Sequence, residues 1–64
     1  MRLRIEATLG VGYTVSDLDG DIATEVVRSM PGVMEVLKLM RTPSSLIEDV
    51  IKRLEHEKSV EIAF

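Results

Sequence analysis

The chain has no cysteine and no tryptophan, one histidine, two prolines, and only Tyr13 and Phe64 as aromatic residues. Each shortage removes a class of function. Without cysteine there is no disulfide framework, no thiolate nucleophile and no cysteine-ligated zinc. With His56 as the sole imidazole, a nucleophile–base pair has no second histidine and no partner suggested by spacing. Few aromatics leave little on which bases could stack. Long apolar runs are also missing, the longest spanning two or three residues, so nothing is long enough to cross a bilayer. The start, Met1-Arg2-Leu3-Arg4-Ile5-Glu6, alternates rather than opening into the unbroken apolar stretch of a secretory signal, and a cytoplasmic protein is expected.

What is present is aliphatic and charged. Sixty-four residues, 45% hydrophobic and 30% charged, make one domain over residues 1–64. A chain of that size buries only about 60% of its unfolded surface. Eight basic residues against eleven acidic ones give a net charge of −3, which argues against a dedicated nucleic-acid binder.

Leu3, Ile5, Ala7 and Leu9 alternate with Arg2, Arg4, Glu6 and Thr8, the period of a strand with one buried face. Tyr13-Thr14-Val15-Ser16 resumes the alternation after Gly10-Val11-Gly12. A three-residue hairpin loop pairing Leu9 with Tyr13 and Ala7 with Val15 keeps every apolar side chain on one face, and Gly12 takes its left-handed last position. Asp17, Asp19 and Asp21 then read as acidic residues at a helix start. Ile22, Ala23, Val26, Val27 and Met30 form a helical stripe, which Pro31-Gly32 terminates. Val33 to Met40 reads as a strand apolar on both faces: one carries Met34, Val36 and Met40, and the other Val33, Leu37 and Leu39. Thr42-Pro43 opens a second helix, with Leu46, Ile47, Val50, Ile51 and Leu54 as its stripe and Glu48–Lys52 and Asp49–Arg53 as i,i+4 pairs. Val60, Ile62 and Phe64 mark a last strand.

The order predicted is ββαβαβ: an α+β two-layer sandwich, a four-stranded sheet with two helices on one face, ferredoxin-like or a rearrangement of it. The two αβ halves also align at an offset of 24, with Glu25-Val26-Val27-Arg28 over Asp49-Val50-Ile51-Lys52; duplication and convergence on a generic amphipathic helix both explain this.

No motif supplies chemistry. Counted from Asp17, the sixth and twelfth positions of an EF-hand loop fall on Ile22 and Arg28 rather than Gly and Glu, so the acidic triplet is structural. His56 belongs at the exposed C-terminus of the second helix. Gly10, Gly12, Gly20 and Gly32 form neither a P-loop nor a dinucleotide fingerprint. Met30, Met34 and Met40 are adaptable core fillers. No catalytic, cofactor or metal residue is therefore assigned, and the chain is not expected to be an enzyme. The candidate site is a surface: Leu37 and Leu39, on the strand face turned away from the helices, as a contact between copies.

The segments Gly12-Tyr13-Thr14-Val15-Ser16-Asp17-Leu18-Asp19, Val26-Val27-Arg28-Ser29-Met30 and Pro31-Gly32-Val33-Met34-Glu35-Val36-Leu37-Lys38-Leu39 follow in order. Together they resemble the back half of an ACT regulatory domain of the phosphoglycerate dehydrogenase and serine dehydratase type, over about Leu3 to Met40. The resemblance implies a dimerising domain. The family's opening strand and helix, near which it binds amino acids, have no counterpart here, so no ligand-binding residue carries over. A rearranged ACT-like domain, an engineered or shuffled chain reusing such a segment, and coincidence on a common strand–helix–strand cadence all fit the departure.

Two functions follow as expectations. The first is a small non-catalytic oligomerisation or interaction domain forming a homodimer, without cofactor, nucleic-acid or membrane partner. The alternative, implied by the resemblance, is an amino-acid sensor at a subunit interface.

Overall fold

In the computed structural model, residues 1–20 and 24–64 are described. The elements run β1 (Arg2–Thr8), β2 (Gly12–Asp17), β3 (Glu25–Val27), α1 (Met30–Leu39), α2 (Ser44–Leu54) and β4 (Ser59–Ala63). The fold is α+β, with a four-stranded antiparallel sheet and two helices, as expected. The sheet order is β3-β2-β1-β4.

The element order differs from ββαβαβ at two places, and the position of one proline accounts for both. Pro31 lies in the first turn of α1 rather than past the end of a helix, with Ser29 as N-cap in extended conformation. Proline suits that turn, because its missing N–H is one that no helix would satisfy. The helix therefore starts where one was expected to stop. Glu25–Val27 becomes a short strand on the free edge of β2, and Val33 to Met40 becomes helix. Ile22 and Ala23, which began the expected stripe, lie outside the described residues. The apparent repeat dissolves with this correction, since Glu25–Val27 is strand while Asp49–Lys52 is helix.

Period explains why α1 is a helix. Met30, Val33, Leu37 and Met40 recur at three- and four-residue steps, and all four join the core, Val33 and Leu37 fully buried. In α2, Ile47, Val50 and Leu54 do the same. The N-cap of α2 is Pro43 rather than Thr42, which is buried one residue earlier.

The first hairpin has its expected three-residue loop, moved one residue toward the N-terminus, so that the pairing register shifts by two. Thr8 pairs with Gly12 and Ala7 with Tyr13, leaving Leu9-Gly10-Val11 as the loop. A slip of two preserves the faces. Leu3, Ile5 and Val15 are buried beneath the helices with Val60 and Ile62, while Arg4, Glu6 and Glu61 stand on the solvent side. Gly10 has φ +82° and Gly12 φ +120°. Gly12 has a further constraint: a Cβ there would stand 2.3 Å from the Val27 carbonyl oxygen, so β3 can approach β2 only at a glycine.

The helices form an antiparallel hairpin that carries the chain from one edge of the sheet to the other. β3 ends beside the β1–β2 hairpin, α1 runs away from it over β2 and β3, and α2 returns to deliver β4 alongside β1. All neighbouring strands are antiparallel.

Candidate interaction surfaces

Leu37 and Leu39 do not share a face. On a strand they would point the same way, but on α1 they are two residues, about 200° of helical turn, apart. Leu37 is 0% exposed in the chain's own core, and Leu39 is 81% exposed. Leu37 is thus a core residue, and of the pair only Leu39 is available on the surface.

Leu39 has neighbours from both α1 and β3. Together with Val36, Met40 and Glu25 it lines a hollow of about 280 Å³ where the C-terminal half of α1 meets the start of β3. Met34 is also exposed on α1. β3 is an edge strand, hydrogen-bonded to β2 on one side only. Arg41, exposed and following Met40 in the chain, puts a cation at the C-terminal end of α1. The signal in the sequence was the leftover of the α1 stripe: once 30, 33, 37 and 40 face inward, 36 and 39 flank that stripe on the outside.

A second apolar concentration lies at the hairpin end. Leu9 is fully exposed and Val11 about half exposed in the loop, and Val26 is exposed on β3. An open hollow of about 1150 Å³ there is also lined by Tyr13, Arg28 and Lys58.

The remaining sheet face is polar and ion-paired. Arg4 donates to Glu61 across β1 and β4 at 3.3 Å and lies 3.9 Å from Glu6. Asp17 and Asp19 do not start a helix. Asp17 Oδ1 accepts the Asp19 N–H at 2.8 Å in a turn after β2, and Asp19 accepts the backbone N–H of Arg2 at 3.1 Å and its Nε at 3.2 Å. Asp21 lies outside the described residues. The hydrogen bond from the Arg2 guanidinium holds the Asp19 carboxyl below the usual carboxylate range. On α2, Arg53 pairs with Asp49 at 3.5 Å, as its spacing predicts, and with Glu57 at 2.9 Å. Its hydrogen bond likewise lowers the Glu57 carboxyl.

His56 is exposed in the turn that follows α2. Among the described residues, no group of three His, Asp or Glu side chains is placed to hold a metal ion, and no helix is long and apolar enough to cross a membrane. No protein-family model, curated protein or solved structure matches the chain.

Proposed function

We propose that the chain is a small non-catalytic interaction domain that pairs with a second copy of itself through the outer strip of α1 and the adjoining edge of β3. The observation that carries this reading is Leu39, 81% exposed beside Val36 and Met40 at a sheet edge that, among the described residues, no further strand covers. Exposed apolar surface beside an open edge is what a partner covers.

A two-fold contact uses one patch twice, so it must complement itself. The apolar side chains can pair with their own copies, and Glu25 in the strip and Arg41 just after Met40 supply charges of both signs. A specific contact buries about 600 Å² or more per partner. Against 4301 Å² for the whole chain, that requires the strip and the edge together.

Sedimentation or light scattering over a concentration series tests the reading. The expected result is a dimer that the Leu39→Lys substitution converts to a folded monomer. A native chain that stays monomeric at high micromolar concentration defeats it, and so does a Leu39→Lys chain that remains a dimer.

A further inference from the structure

The hairpin end lies at the opposite end of β3 from the proposed dimer strip, and its chemistry is different. Leu9 and Val11 expose aliphatic side chains on the turn itself. Arg28 follows β3 and Lys58 precedes β4, so the two cations bracket the hairpin from the outer strands of the sheet, about 14 Å apart at three strand spacings. Among the described residues, no carboxylate lines the hollow at this end. Among the described residues neither cation has an ion-pair partner, whereas Arg2, Arg4 and Arg53 each hold a carboxylate.

We infer that the hairpin end is a contact surface for an anionic lipid bilayer, with Leu9 and Val11 entering the headgroup layer and Arg28 and Lys58 meeting the lipid phosphates and carboxylates on either side. Charge complementarity selects an anionic partner, and the apolar turn between the cations selects one with an apolar interior within reach. A nucleic acid would need stacking surfaces, and here the sole aromatic is the partly buried Tyr13. The net charge of −3 does not oppose the contact, because screening over about 8 Å leaves the two local cations to set the field at the turn. Among the described residues no helix is long and apolar enough to cross a membrane, but a surface contact requires no span.

The absence of tryptophan supplies the reporter. Leu9→Trp places a single indole on the turn, and its emission should shift to the blue with vesicles of mixed phosphatidylserine and phosphatidylcholine, but not with phosphatidylcholine alone. In the native chain, co-sedimentation should show the same preference and weaken as salt is raised. Arg28→Gln and Lys58→Gln should each lower vesicle affinity about fivefold, and Leu9→Ser about tenfold, with melting temperatures unchanged. Leu39→Lys should bind as the native chain does, which separates this surface from the proposed dimer contact. The inference is overturned by no binding to mixed vesicles, by equal binding to neutral ones, by an Arg28→Gln/Lys58→Gln chain that binds undiminished, or by loss of binding in Leu39→Lys.

Discussion

The amide N–H of Thr42 donates to the carbonyl oxygen of Leu37 at 3.0 Å, and that of Arg41 to Lys38 at the same distance. These are the two bonds of a Schellman termination, which satisfies carbonyls that the end of α1 would otherwise leave open. The motif needs a left-handed residue, and Arg41 supplies it at φ +61°. A side chain there costs about 1 kcal/mol that glycine avoids. Arg41→Gly is expected to stabilise the chain by up to about that much, raising the melting temperature by about 4–8 °C. Thermal denaturation followed by circular dichroism checks it.

Thr42 carries a second cost in the same turn. Its residue is buried and its Oγ1 has no hydrogen-bond partner. Thr42→Val keeps the shape and removes the orphaned hydroxyl, so a gain of about 1 kcal/mol is expected in urea denaturation. Valine also suits the extended backbone required before Pro43.

Leu37 and Leu39 should respond oppositely to truncation. Leu37→Ala opens a cavity beneath α1 and is expected to cost about 2–5 kcal/mol. A chain this small has only about 3–10 kcal/mol in total, so much of the population should unfold. Leu39→Ala removes a side chain that is mostly in water and should leave the monomer's stability within about 0.5 kcal/mol. Denaturant titration of both at low concentration separates core from surface.

Gly12→Ala should detach β3. The new methyl group meets the Val27 carbonyl, and φ +120° is strained for any side chain. Strain of this kind alone costs about 1–3 kcal/mol. Amide exchange should show β3 losing protection while β1, β2 and β4 keep theirs.

Acid should weaken the fold through Asp19 and Glu57. Both carboxyls are lowered in the folded chain by guanidinium hydrogen bonds. As pH falls, the unfolded chain therefore takes up protons first. The stabilisation is complete above the ordinary carboxylate range and disappears as pH drops through the lowered values. Both groups are exposed, so the effect is small. Asp19→Asn and Glu57→Gln should each flatten part of the acid side of a plot of denaturation midpoint against pH.

The parts of the fold that the sequence made legible are those where one periodicity stands alone. β1 and β4 alternate cleanly, and α2 has a single stripe between a proline and a polar turn. The segment from Glu25 to Met40 holds two overlapping signals. Val26-Val27-Met30 fits a helix begun at Ile22, and Val33 to Met40 is rich in residues that favour strands. Ser29 and Pro31 decide between them, because a capping serine two residues ahead of proline marks a beginning, whereas proline read alone marks an end. The failure of Val33 to Met40 to alternate was the helical signal itself. The exposed strip inherited that error: Leu39 stood out from its apolar character, but its neighbours Val36, Met40 and Glu25 emerge only once the segment is wound as a helix.

The pairing of β1 with β4 joins Arg2 to Ala63, almost the full length of the chain apart. Contacts so distant in sequence are the slow ones to form, because nearly the whole chain must be closed into a loop before they contribute. On a ribosome, the β1–β2 hairpin can assemble early, but one side of β1 stays open until β4 emerges. Leu3 and Ile5 are exposed throughout that wait, and Arg2, Arg4 and Glu6 interrupt them with charge at every second position. That alternation, which in the finished fold separates core from solvent, also guards a nascent edge against pairing with the wrong chain.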